Sequence, residues 1–486
     1  MTSGNDICRM TALEIAQNVR DKAISPSEVA EASIARMEAL DPVLHAYCTP
    51  TPDLMRDQAR AVEDKIARGE DAGPLAGVPV GIKDLVVMKD YPTVSGSMAY
   101  KDYVSDVDDV VVERLKDAGS LILGKTNVPE FGYSGVGHNP VFETTRNPWN
   151  TDLTPGGSSA GSVVSTITGM TPYAIASDGG GSIRIPSCLT GTYGLKASMG
   201  RVPLWPGTKD ERYPGVSSWE SIEHIGPVAR TVRDAALMMT VIGSGPDARD
   251  RHTLPGPEFD WLEACEGDLS GLRVAYSPDW GYAAVDPEVR ALIDAAAQAF
   301  ESDLGCTVEI AHPGFEDPYL SFWGLVALES DLRGLRKMVE EHGHEMTPHL
   351  VDFITRPWTA EDFTDAVMGR KAVTNRMAAF MENYDILLTP TLAVPAFPVH
   401  MQGPEKIDNR IVEPFKWLAF TFPINMTGQP AASIPAGFTE GGLPVGLQII
   451  GRHLDDPTVL RASACFEAAR PWDHVKPPIL AEMDLA

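Results

Sequence analysis

Between Pro155 and Arg184 the chain reads PGGSSAGSVVSTITGMTPYAIASDGGGSIR, with Ser158 and Ser182 in glycine-rich clusters on either side of an apolar segment. A serine hydroxyl becomes a nucleophile only when a base takes its proton and donors await the oxygen that turns negative on carbonyl attack. Gly179, Gly180 and Gly181 stand directly before Ser182. Such a run lets successive backbone N–H groups point into one hollow, so SDGGGS reads as an oxyanion nest with its nucleophile attached. Glycine-rich loops also cradle phosphates at helix N-termini. Neither GxGxxG nor GxxxxGK followed by Ser or Thr is matched by these loops, which disfavours that use.

The base is harder to find. None of the eleven histidines is tied to Ser182 by spacing. His342, His344 and His349 fall around a polar, helix-breaking turn and read as surface histidines, not metal ligands; no metal and no cofactor is expected. Lys83 is the better candidate, because VPVGIKD at 78–84 reads as a buried strand. Desolvation at its end lowers an amine's pKa and makes it a base. Nothing in the spacing places Lys83 beside Ser182.

The segments GVPVGIKD, PGGSSAGS, SDGGGSIRIPSCLTGTYGLK, GPVARTVRD and NMTGQPAASIP, in that order and spacing, resemble the amidase signature family over nearly the whole chain. The resemblance implies a Ser-Ser-Lys triad, with Ser182 as nucleophile, Ser158 as a bridging serine on a cis peptide bond, and Lys83 as the lysine. It implies an oxyanion hole from the backbone of Gly179, Gly180, Gly181 and Ser182. It further implies an Asp178–Arg184 ion pair that shapes the loop and Ser159 bonded to Lys83. The implied activity is hydrolysis of an amide C–N bond through a Ser182 acyl-enzyme, with esters turned over by the same site. One departure is Ala160, where the family usually has a glycine or serine. Cys188 is expected in the core and His138 beside the substrate. Two rivals are the amide-hydrolysing subunit of a tRNA-dependent amidotransferase and a non-catalytic binding protein on the same fold.

The elements that must hold these residues alternate in period. Thr11 with Glu14, and Ser25 with Pro26 and Glu28, signal helix starts, and the second helix is expected to stop at Asp41-Pro42. A further helix fits 52–68. Strands read at 78–84, 121–125, 272–277, 306–310, 385–391 and 443–451, with helices at 110–119 and after Asp286-Pro287. The fold class is α/β, with helices covering a mostly buried sheet; the family resemblance implies a large mixed β-sheet covered by helices on both sides. Residues 1–70 form an N-terminal helical arm packed on a catalytic domain, 71–486, whose segment 320–380 is mainly helical and covers the substrate. Trp205 and Trp219 in the stretch 204–219, and Phe322 and Trp323 in LSFWGLVALE, are expected to wall an apolar or aryl pocket.

Composition narrows the partners. A net charge of -27 without a basic patch disfavours nucleic acid. No apolar run reaches the length of a membrane span. Six scattered cysteines without CxxC spacing suit free thiols in a reducing compartment, and the N-terminus lacks a signal-peptide pattern. A cytoplasmic protein acting on a small-molecule amide, and assembling as a homodimer, is the expected setting.

Overall fold

The computed structural model describes residues 3–207 and 219–485. In chain order its strands are β1 (Tyr47–Pro50), β2 (Pro79–Lys83), β3 (Leu121–Thr126), β4 (Tyr173–Ser177), β5 (Tyr193–Lys196) and β6 (Ile225–Ala229). They continue with β7 (Arg273–Tyr276), β8 (Thr307–Ile310), β9 (Ile386–Pro390), β10 (Lys406–Ile407), β11 (Arg410–Ile411), β12 (Ala431–Phe438) and β13 (Pro444–Gly451). Eleven of them make one sheet in the order β1-β3-β2-β4-β6-β5-β12-β13-β9-β7-β8, and β10 with β11 forms a separate hairpin. The sheet is mixed: β2 runs parallel to β3 and β4, while β6, β5, β12 and β13 alternate in direction. Both faces of its central strands are buried, as a sheet between helical layers requires.

The arm forms as its caps dictate. Ser25 and Glu28 complete a capping box at the start of helix Pro26–Leu44. This helix runs past the expected stop, with Pro42 in its last turn. The end is secured by Asp41 Oδ1, which accepts from the N–H groups of Ala46 at 2.6 Å and Tyr47 at 3.0 Å. Left-handed His45 closes it. The arm is not purely helical, since β1 pairs antiparallel with β3 at the sheet edge. Its Ile15, Val29 and Leu40 are buried in the same apolar cluster as the strands.

Five sheet strands, β1, β4, β5, β6 and β12, escape the sequence pattern. Short buried apolar runs cannot be told from helix segments by period, and proline inside IGPVA and AASIPAGF argues against strands. The structure accommodates both prolines. The β5–β6 ladder holds only Tyr193↔Ala229 and Gly194↔Val228, so Pro227 lies beyond it. Pro435 sits at a register shift in the β12–β13 ladder. The segment 320–380 folds as expected into helices Tyr319–Leu328, Leu332–His342, Pro348–Thr355 and Ala360–Met381.

One topological fact sets up the site. Because β2 and β4 are parallel neighbours, with Ile82 opposite Ile175, their C-terminal ends emerge side by side. Lys83 ends one strand and Ser177 ends the other. Crevices at the C-terminal ends of parallel strands are where α/β sheets bind ligands.

Candidate active site

Lys83 is 0% exposed, and among the described residues its ammonium group bonds only serine oxygens. Nζ donates to Ser158 Oγ at 2.8 Å, to Ser177 Oγ at 2.8 Å and to the Ser177 carbonyl at 3.1 Å. Burial pulls the Lys83 amine down to about 8, against the pull of Glu223 and Asp178 toward the charged form. The expected Ser159–Lys83 bond is absent. Ser159 Oγ donates instead to the Ser177 carbonyl at 3.3 Å, because the parallel strand end has put Ser177 in the place nearest the amine.

Ser158 stands before helix Ala160–Ile167, and the Gly157–Ser158 peptide bond is cis. Ala160 opens that helix with its methyl fully buried. The methyl is accommodated by Gly137, where a Cβ would lie 2.9 Å from it.

The turn from Ser177 to Arg184 is shaped by one carboxylate. Asp178 accepts two bonds from the Arg184 guanidinium, Nε to Oδ2 and Nη2 to Oδ1, each 2.9 Å long, with both side chains fully buried. Burial works against the charged Asp178, but Arg184, with Lys196 and Asn425, outweighs it and holds the carboxyl below the usual range. The other face of Arg184 reaches Thr421 O, Gln448 Oε1 and Asn425 Oδ1 at 2.6–2.9 Å. The pairing expected from the sequence is present, and it ties the turn to the far half of the sheet.

That carboxylate also changes the expected donor set. The Gly181 N–H donates to Asp178 Oδ1 at 2.8 Å and so turns into the loop, away from the hollow. Gly181 adopts φ +128, which only glycine takes without strain. The N–H groups of Gly179, Gly180 and Ser182 have no such partner among the described residues.

Ser182 is 9% exposed against 2% for Ser158 and 0% for Lys83, so among these three it alone reaches the cavity in front of the turn. This cavity, about 50 Å³, is lined by Gly132–Gly135, Gly179, Gly180, Ser182, Ile185, Trp219, Phe322, Trp323 and further apolar residues. Phe322 stacks on Phe422 with centroids 5.0 Å apart, and Tyr133 meets Trp219 edge-on at 4.7 Å. Past Tyr133, Tyr319, Trp323 and Phe415 lies a wider outer chamber of about 250 Å³.

Trp219, Phe322 and Trp323 thus line the cavity as expected, whereas Trp205 and His138 do not. Trp205 lies under the Arg249 guanidinium, 4.1 Å from its ring centroid. The rest of that expected wall, 208–218, lies outside the described residues. His138 is exposed and its ring bonds Thr144, because the loop is anchored by its buried neighbour Asn139. His349 is not a surface histidine: it lines the outer chamber, half-buried, with burial pushing it down to about 4. Cys188 is buried and accepts from the Gly446 N–H. No metal-binding cluster of side chains exists among the described residues.

Two site residues escaped the sequence. Ser177 was legible only through the parallel pairing of β2 and β4. Glu223, in the polar stretch Glu220-Ser221-Ile222-Glu223-His224 just before β6, is buried, and Lys83 favours its charged form.

The family model described as Amidase matches residues 28–460. The chain belongs to the amidase family. It is 38% identical to an acylamidase of Rhodococcus erythropolis, covering 96% of this chain and 97% of that one. It is 33% identical to a glutamyl-tRNA(Gln) amidotransferase subunit of Carboxydothermus hydrogenoformans, over 97% of this chain and 99% of that one. The crystal structure of a bacterial aryl acylamidase of the amidase signature family superposes with a TM-score of 0.88. It is 34% identical and covers 98% of both chains.

In this amidase-family chain the Asp178–Arg184 pair is the structural keystone of the turn. Arg184→Met leaves a buried carboxylate uncompensated and lowers unfolding free energy by about 3–5 kcal/mol. Arg184→Lys recovers little of it, since an ammonium cannot supply the planar fork. Urea unfolding of the three proteins checks this.

Proposed function

We propose that the protein hydrolyses carboxylic amides with an apolar or aryl substituent, through an acyl-enzyme on Ser182. The observation that carries the reading is the placement of the Ser182 hydroxyl, unpartnered among the described residues, on an aromatic-walled cavity, with Lys83 bonded to Ser158 behind it. Neutral Lys83 draws the Ser158 proton, Ser158 draws that of Ser182, and Ser182 Oγ attacks the amide carbon. The Ser158–Ser182 link is not a hydrogen bond in the free structure; we assign it to the substrate-loaded site, where such contacts tighten. The N–H groups of Gly179, Gly180 and Ser182 receive the oxyanion. Ser158 returns a proton to the departing amine, and water repeats the route to free the acid.

The lining supports a choice between the relatives' activities. Among the described residues, none that line the inner cavity carries a charge. Glutamine, the amide donor expected of an amidotransferase subunit, would bring an ammonium and a carboxylate into that apolar wall and lose their solvation. The net charge of -27 argues against a tRNA partner as well. Six free cysteines among the described residues fit a reducing, cytoplasmic setting, and a homodimer remains part of this proposal.

Two outcomes follow from this reading. Ser182→Ala abolishes acylation. Ser158→Ala loses amide turnover by roughly 10²–10⁴-fold, the worth of acid–base assistance, but keeps a larger fraction of activity on an activated ester, whose leaving group departs unprotonated. Stopped-flow kinetics on an amide and an ester sharing one acyl group, with intact-mass detection of the adduct, measures this; equal losses on both substrates contradict the serine roles. Second, purified enzyme without partners hydrolyses an acetanilide with kcat/KM at least about a hundredfold above that for glutamine, the scale set by burying unpaired charge. Comparable rates on glutamine contradict the apolar-substrate reading.

A further inference from the structure

Glu223 is the ionisable group beside the site that the serine–serine–lysine route leaves unused. It is 8% exposed and sits just before β6, against the back of the glycine turn. A Cβ placed on Gly179 would come within 2.6 Å of Glu223 Oε2 and 3.0 Å of the Trp219 ring, so the turn lies directly on the carboxyl. Oε2 is fully buried and has no hydrogen-bond partner among the described residues.

The groups around Glu223 come from several elements. Lys83, at the end of β2, is the cation whose charge favours ionised Glu223. Asp178, after β4, is an anion that disfavours it, and the Ser177 hydroxyl steadies the charged form. On its other side Glu223 borders a small cavity with Glu220, His224, Asp250 and His252. His224 is in turn flanked by Lys196 of β5, and burial with that cation holds the imidazole neutral. Burial pushes Glu223 up to about 7, Lys83 opposing, just as burial pulls Lys83 down to about 8.

A buried ammonium bonded only to neutral oxygens, beside a buried acid with an unpartnered oxygen, is stable either as two charges or as none. We propose that Glu223 and Lys83 hold one proton between them, and that Glu223 takes up the proton Lys83 must lose to act as a base. The inference rests on the amidase reading, since it concerns how that base is made. The Ser177 hydroxyl, 2.8 Å from Lys83 Nζ, bridges the transfer. One Lys83 N–H bond breaks as Ser177 Oγ gains that proton; the original Ser177 O–H breaks as a Glu223 oxygen gains its proton. Ammonium and carboxylate become amine and carboxylic acid, with no change in net charge.

Two advantages result. The base forms without releasing a proton to solvent through an apolar cavity. The acid behind Gly179 is then neutral when negative charge develops at the Gly179, Gly180 and Ser182 N–H groups, where a carboxylate would oppose it. Glu223 touches no substrate atom and is a positioning residue.

The test is the pH profile of kcat/KM on an acetanilide for wild type, Glu223→Gln, Glu223→Asp and Lys83→Met. Gln keeps the shape of the protonated acid but cannot carry the anion that favours charged Lys83. The acidic limb should therefore move to lower pH in Glu223→Gln, by about one unit or more, the scale of a close opposite charge. The high-pH plateau should be kept. Glu223→Asp, one carbon shorter, moves the limb the same way by less and serves should the Gln variant not fold; melting temperatures establish folding. A limb at the wild-type pH in both variants, or a uniform fall at every pH, overturns the proposal and leaves Glu223 a packing residue. A limb that Lys83→Met removes but Glu223 does not move sinks this inference alone. A wild-type limb untouched in Lys83→Met sinks the amidase mechanism and this inference together.

Discussion

A lysine amine buried without a hydrogen-bonded carboxylate is the constraint around which the rest of this structure is arranged. Two lysines on adjacent strands make the point. Lys125 of β3 is fully buried and bonds the carboxylate of Asp84 at 2.8 Å, a closed ion pair that serves packing. Lys83 of β2 is equally buried, yet its bonds go to two serine hydroxyls and a carbonyl. The first arrangement stabilises the ammonium; the second satisfies its donors while leaving its charge under-compensated, and the amine becomes able to shed a proton. Parallel pairing of β2 with β4 makes this feasible, because it supplies Ser177 from the neighbouring strand end.

The second requirement is a turn that holds a hydroxyl and free N–H groups against a cavity. Asp178 and Arg184 meet it from behind. By accepting from Gly181, Ile183 and the guanidinium, the carboxylate bends the chain so that Ser182 faces outward. Arg184 then fixes the turn to Thr421, Asn425 and Gln448, beyond the centre of the sheet. The polar machinery is thus sealed behind the turn, and the space in front is given to Phe322, Trp323, Trp219 and their neighbours. A strongly acidic chain in this way presents an uncharged, aromatic-lined cavity at Ser182.

Much of this was legible in the sequence, and the limits were physical. Helix starts were readable because capping boxes are local, as at Ser25–Glu28. The SDGGGS run announced a nest, and the strand ending in Lys83 announced a buried amine. What joins them is non-local: only the strand order shows that Ser177 sits beside Lys83, which displaced Ser159 as its partner. Gly181 left the donor set because a side chain, Asp178, claimed its N–H. Among the aromatics, Trp219, Phe322 and Trp323 converge while Trp205 stacks under Arg249, and no spacing distinguishes the two fates. Glu223 carried no signal of its own among Glu220, Ser221 and His224, and it acquires meaning only beside Lys83.

The claim on which the account stands is that Lys83 loses its proton near neutral pH, far below the ordinary lysine value of about 10.4. Lysine-selective carbon NMR across a pH titration reads this directly, with the Lys83 signal identified by its disappearance in Lys83→Met. The account predicts a midpoint of about 8 for that signal. A Lys83 signal that stays in its charged position up to the ordinary lysine range would contradict it.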